Sequence, residues 1–358
     1  MSASKKEKSK RRRFSVPKWL ALLLVTVFVL VGAAVFFIYG VIPGKVAEGL
    51  VKAGQNRHAP QKNPGKYGLK YENVEFKTSD GVTLKGWWIP ATVHKPLGTV
   101  LLTHGVFHNR DQVLTRAVFL QEAGYQVLTF DMRGQGESGP SPLSGGLLES
   151  GDFSAAADFL TQKHWAKPPV VFFGFSLGAI CALRAGAVHP VDGVIADSPL
   201  PNIKSYISRR TIGAPFTRLP GFLSKCLEAY DAVSGLHLEE KDLDLLPVMR
   251  QITQVPILLF SGEKDDLARS PEIQKLFDQC PALHRLLVYI PDAGHEQTYS
   301  EYPMIYEKAV LDFLKNVKEG FPQTPESPWI QSKPIEKKSA ESAPTHSKKT
   351  KPATPHIQ

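Results

Sequence analysis

The chain has 358 residues, 42% of them hydrophobic, and a formal net charge of +9. Residues 1–18 carry +7 and residues 321–358 carry +3, which leaves the middle at −1 and argues against a nucleic-acid-binding face. The three cysteines, Cys181, Cys226 and Cys280, are scattered; they offer no CxxC pair for a zinc knuckle or dithiol site and read as small buried hydrophobes.

In chain order, a basic segment (residues 1–18) precedes an uncharged run, "WLALLLVTVFVLVGAAVFFI", Trp19 to Ile38. A helix of that length spans about 30 Å, the thickness of a bilayer core. A cleaved signal peptide is the rival reading, with Gly32-Ala33-Ala34 as its small-residue site. The apolar run continues through "VFFIYGVI", beyond an ordinary signal core, so residues 19–42 are read as a transmembrane anchor. Positive flanks stay inside, which puts the N-terminus in the cytoplasm and the following domain outside the cytosol, with Trp19 and Tyr39 at the two interfaces. Residues 43–66 read as a stalk, helical at first ("KVAEGLVKA") and then polar.

Between 67 and 319 strand and helix patterns alternate. "YENVEFKT" and "VTLKGWWIPA" flank Asp80-Gly81, a hairpin signal. "GTVLLTHG", "YQVLTFDMRG", "PVVFFGF", "VDGVIADSP", "VPILLFSG" and "RLLVYIP" are short apolar runs suited to buried parallel strands. Between them lie helix patterns, including "RDQVLTRAVFLQEAG" and "GDFSAAADFLTQKH", the latter with Asp152 as its expected N-cap. The alternation predicts a mostly parallel sheet with helices on both faces. Residues 200–250 break the rhythm and are expected to form a small helical cap. Ile203, Tyr206 and Ile207 share one helical face there, and Phe216, Leu219, Phe222 and Leu223 add a second apolar stretch. As a lid over the carboxyl edge of the sheet, the cap would enclose an apolar pocket suited to an acyl chain; simple packing against the sheet is the alternative. Residues 320–358 are rich in Pro, Ser, Thr and Lys and are expected to be disordered.

The chemistry centres on Gly174-Phe175-Ser176-Leu177-Gly178, where an apolar strand meets a helix pattern. A serine on such a turn is a nucleophile elbow, its hydroxyl projecting from the carboxyl edge of the sheet. A serine hydroxyl needs a base. His295, in "YIPDAGHEQTY", follows a strand directly at that edge, whereas His284 and His189 precede theirs; His104, before a glycine at a strand end, suits a loop-organising role. The acid that fixes the imidazole is sought in "LLFSGEKDDLARS", where Asp265 is preferred over Asp266 and Glu263, with Asp197 a distant option. Two backbone donors are needed for an oxyanion; Leu177, after the nucleophile, and Val106, on the loop after "VLLTHG", fit. No HExxH or Cys/His ligand spacing occurs, and neither a metal nor a cofactor is expected.

"DGVTLKGWWIPA", "LLTHGVFHNR", "FDMRGQGES", "GFSLG", "VPILLFSGEKDD" and "DAGHEQTY" stand in an order that resembles the α/β-hydrolase superfamily over residues 71–318, in the branch of serine aminopeptidases, monoglyceride lipases and lysophospholipase-like proteins, many with an N-terminal membrane anchor. The resemblance implies an α/β-hydrolase fold with a small cap, Val106 as an oxyanion donor and Asp265 as the acid. "DLARSPE" departs from the Val-Pro usual after that acid, which loosens the choice between Asp265 and Asp266. Asp131 and Arg133 match a family loop that is mostly structural. The domain order is then basic segment 1–18, anchor 19–42, stalk 43–66, hydrolase domain 67–319 with its cap at about 200–250, and basic tail 320–358. The function expected is a membrane-anchored serine hydrolase cleaving an acyl ester or thioester of a lipid or small acyl compound; the alternatives are a serine aminopeptidase and a non-catalytic membrane protein on the same scaffold.

Overall fold

The computed structural model describes residues 17–55, 57–202, 209, 216 and 218–321. The basic segment before residue 17, the tail after 321, and Ile203, Tyr206 and Ile207 of the expected cap face lie outside the described residues.

Eight strands form one sheet in the order β1-β2-β4-β3-β5-β6-β7-β8. Strands β1 (Glu72–Lys77) and β2 (Thr83–Ile89) form the expected hairpin around Asp80-Gly81, and β2 pairs antiparallel with β4 (Gln126–Phe130). Strands β3 (Thr99–Thr103), β4, β5 (Val170–Phe175), β6 (Gly193–Asp197), β7 (Ile257–Gly262) and β8 (Arg285–Ile290) are parallel. Their side chains alternate between two apolar layers. Leu101, Phe172 and Ala196 face one layer, while Leu102, Phe173 and Ile195 face the other. Burial on both faces is why these strands read as unbroken apolar runs.

Helices α4 (Ser150–Gln162), α5 (Leu177–Val188) and, later in the chain, a helix at Ser270–Gln279 cover the first layer through Phe153, Ala179 and Ile273. Helix α3 (Leu114–Glu122) and the closing helix Pro303–Glu319 cover the second through Leu120, Tyr306 and Phe313. Asp152 is not the N-cap of α4. Glu149 occupies that place, and the Asp152 carboxylate accepts from Arg133 N at 2.8 Å and Arg133 Nε at 2.7 Å. A buried guanidinium is the stronger claim on a carboxylate, because an unpaired buried charge costs far more than a missing cap.

The N-terminal apolar run is helix α1 (Lys18–Phe36), whose side chains are exposed from Trp19 to Phe37 except for Leu20, which is half-buried. A single wider turn, Phe37–Val41, joins it to α2 (Ile42–Gln55). The continuous stretch Lys18–Lys52 is long and apolar enough to cross a membrane, with mean hydropathy 3.0 in its most apolar window. Residues 43–55, read from sequence as a stalk that begins helical, are helix, with Val46 and Ala47 buried. They pack on cap helix α6 (Phe222–Ser234), where Phe222 and Cys226 are buried against Val46.

Candidate active site

Ser176 sits between β5 and α5 with φ 52° and ψ −111°, a conformation that side chains rarely adopt. Such strain costs roughly 1–3 kcal/mol and persists only where the surroundings over-determine it. Here they do. Ser176 N–H donates to Asp197 O at 2.8 Å, tying the turn to β6. A Cβ on Gly174 would lie 1.9 Å from Gly178 O, and one on Gly178 would lie 2.5 Å from Thr103 Oγ1. Strand and helix therefore touch backbone to backbone, which answers why glycines flank the serine on both sides.

The structure brings three of the predicted residues together. Ser176 Oγ lies 2.8 Å from His295 Nε2, and His295 Nδ1 lies 2.8 Å from Asp265 Oδ2. All three are buried. The other oxygen of Asp265 accepts from Leu267 N at 2.9 Å and Ala268 N at 2.7 Å, so the turn after β7 clamps the carboxylate in place. Neither Asp266 nor Glu263 is hydrogen-bonded to His295; Glu263 accepts from Asp292 N instead. Asp197 is engaged elsewhere, by Thr298, Tyr306 and Arg116.

Val106 and Leu177 line one apolar cavity beside Ser176. Leu177 opens α5, where a first-turn N–H has no intrahelical acceptor. The amides on either side of Val106 are held by side chains: Gly105 N donates to Gln112 Oε1 at 2.8 Å and Phe107 N to Gln135 Oε1 at 2.6 Å. His104 braces the same loop, with Nδ1 2.7 Å from Gly105 O and Nε2 accepting from Met132 N at 3.1 Å. Burial drives its pKa down to about 3, so it is a neutral strut. Asp131 and Arg133 are structural as expected: Asp131 pairs with Arg110 and accepts from the Arg110 and Glu137 amides, and Arg133 joins Asp80 to Asp152.

The space the cavity encloses is about 70 Å³, small beside the roughly 300–1,000 Å³ of pockets that bury a drug-sized ligand. Cap residues Cys226, Leu227 and Tyr230 wall one side, with Ile180 and Leu200 among the residues below. Among the described residues, no carboxylate or cationic side chain lines it. Among the described residues, no three His, Cys, Asp or Glu side chains gather as a metal site.

The family described as "Serine aminopeptidase, S33" matches residues 94–229. The sheet order, the elbow and this match coincide with likeness to a solved Pyrococcus furiosus esterase, Pf2001, which is 27% identical, superposes with a TM-score of 0.60, and covers 73% of this chain and 96% of its own. The chain has the α/β-hydrolase fold. Among curated relatives of the hydrolase, the Escherichia coli protein YfhR is 26% identical over 251 residues, covering 68% of this chain and 80% of its own length. The Schizosaccharomyces pombe protein bem46 is 25% identical over 309 residues, covering 84% and 94%.

Sequence reasoning missed a buried network under Ser176. Arg116 Nη2 lies 3.2 Å from Asp197 Oδ2, and Tyr306 Oη donates to the same oxygen at 2.8 Å. Thr298 Oγ1, three residues past His295, donates to Asp197 from 2.8 Å. Burial opposes the charge on Arg116, but Tyr306 and Asp197 hold its pKa above the ordinary arginine value. The available signal was an arginine on the apolar face of α3, one residue from Ala117 and four from Leu120, both fully buried. Leu50, which also lines the cavity, was missed because its segment read as a stalk.

Proposed function

We propose that this hydrolase is a membrane-anchored serine hydrolase that cleaves carboxylic esters or thioesters of acyl chains through Ser176, His295 and Asp265. The observation that carries the reading is the relay of two 2.8 Å contacts from Ser176 Oγ through the imidazole to a clamped carboxylate. His295 Nε2 takes the Ser176 proton as Oγ attacks the acyl carbonyl. The Leu177 and Val106 N–H groups stabilise the oxyanion. Asp265 holds the tautomer and balances the imidazolium. His295 then protonates the leaving oxygen or sulfur, and water, activated by the same imidazole, releases the acid and restores Ser176.

The apolar lining favours an acyl chain over a peptide. An aminopeptidase must hold a free α-ammonium, and the described residues that line the cavity include no carboxylate for one. The likeness to the Pyrococcus furiosus esterase Pf2001 points the same way. A fluorophosphonate probe tests the reading: it should label the wild-type chain on Ser176 and leave Ser176→Ala unlabelled. A wild-type chain that resists the probe would favour the non-catalytic scaffold.

The anchor reading rests on the exposed apolar helix, and orientation on the basic residues before it. The catalytic domain is then outside the cytosol. Protease added to intact cells stripped of their outer layers should destroy a C-terminal tag; a tag cut only after lysis would put the domain in the cytosol.

A further inference from the structure

The anchor and the cap are built as one unit. Side chains on α1 are exposed as far as Phe37, and from Ile38 onward the same helix is packed. Tyr39 Oη donates to Pro220 O at 3.0 Å, and its ring meets Phe222 edge-on at 6.2 Å. Further along, Val46 is buried with Phe222 and Cys226. Further still, Leu50 and Tyr230 wall the same cavity. The contacts advance in the same direction on both helices, so α2 and α6 run side by side from the end of the exposed apolar segment to the pocket. Tyr230 Oη donates to Leu143 O at 2.7 Å and fixes the far end of the pair to the domain.

We propose that the anchor helix is itself a wall of the acyl pocket, with Leu50 setting the acyl length accepted, so that the site takes acyl chains of lipids from the bilayer that holds the anchor. This rests on the ester-hydrolase reading above. Three observations carry it. Leu50 lies opposite Val106 and Leu177 across one cavity, so the helix that leaves the membrane faces the reacting end of the substrate. Thirteen residues of helix separate it from Phe37, about 20 Å along the axis, which sets the pocket just above the membrane surface. The walls nearest the anchor are apolar throughout, Leu50, Cys226, Leu227 and Leu238, and no charge there would hold a soluble polar substrate. Cys226 is part of this lining, and burial raises its thiol pKa to about 11, so it acts as an apolar surface.

The test uses the full chain in lipid nanodiscs. Leu50→Trp fills the wall, and Leu50→Phe does so with a smaller risk to folding. The ratio of kcat/KM for palmitoyl over butyryl p-nitrophenyl ester should fall roughly tenfold or more, the discrimination an apolar pocket exerts over added methylenes. In a separate arm, Ser176→Ala protein is irradiated with palmitic acid carrying a terminal diazirine, and the label is expected within residues 46–52. An unmoved ratio in both variants, with label only on the exposed Trp19–Phe37 stretch, would overturn the proposal while leaving ester hydrolysis standing. Label on 46–52 in a protein whose wild type cleaves no ester would instead support the pocket and sink the hydrolase reading.

Discussion

The elbow edge and the cap–anchor pair sit on opposite sides of one cavity and are held by different forces. At the elbow, backbone meets backbone: a Cβ on Gly174 would approach the Gly178 carbonyl oxygen to 1.9 Å, and the Ser176, His295 and Asp265 side chains are joined by hydrogen bonds. Across the cavity, α2 and α6 are held mainly by apolar side chains, Val46 against Phe222 and Cys226, with Tyr39 as a polar pin at one end. The first kind of contact permits almost no substitution and fixes reacting atoms. The second tolerates volume-conserving change and can retune a pocket at modest cost. Chemistry and specificity are thus carried by regions with different mutational tolerance.

That contrast predicts unequal responses. Ser176→Ala should have the largest effect, a turnover loss on the order of 10⁶-fold if loss of the nucleophile costs what it does in other serine triads, with folding preserved because alanine keeps the Cβ and the turn tolerates the smaller side chain. More than a few per cent of wild-type turnover in a steady-state ester assay would break the assignment. Asp265→Asn comes next, at roughly 10⁴-fold, because the amide no longer selects the tautomer in which Nε2 is free to accept. Asp266→Asn is expected to change turnover far less, having no hydrogen bond to His295. A larger loss in Asp266→Asn than in Asp265→Asn would move the acid one residue along.

The elbow side was also the more legible in sequence. Gly174 is required by the Gly178 carbonyl within the same five-residue motif, and Gly178 by the close approach of Thr103 and His104 at the end of β3. The parallel strands were legible because burial on both faces leaves no polar alternation to confuse them. The choice between Asp265 and Asp266 was open, since both follow β7 in one acidic turn; the structure places Asp265 at His295 through two backbone donors, Leu267 and Ala268, that no residue identity announces. Asp152 was misassigned as a cap because local propensity cannot see Arg133, nineteen residues earlier and buried. The helical start of the stalk was legible but its packing was not, for the same reason at greater range: its partners on α6, Phe222 and Cys226, lie far along the chain. A partial signal existed. Val46 and Leu50 are four apart on a helical pattern, an apolar stripe that a free-standing stalk has no use for.

The smallest predicted effect sharpens the contrast most. Val46 is 5% exposed and packs against α6 without touching either layer of the sheet core. Val46→Ala removes two methyl groups from that contact, and a change of this size costs about 1–2 kcal/mol, between the loss of one methyl and a Leu→Ala truncation. If the cap–anchor pair opens as its own unit, that cost appears as local unfolding of α2 and α6 and not as loss of the whole fold. Amide hydrogen exchange in nanodiscs should then quicken in α2 and α6 by a factor of roughly 5–30, the equilibrium change that such an energy produces. Exchange in β3 and β5 should stay as it is, because Leu101, Leu102, Phe172 and Phe173 gain and lose no contact. Uniform acceleration across the sheet and the helix pair would show that the two regions unfold together, and the division drawn between a rigid chemical edge and an adjustable pocket wall would fail.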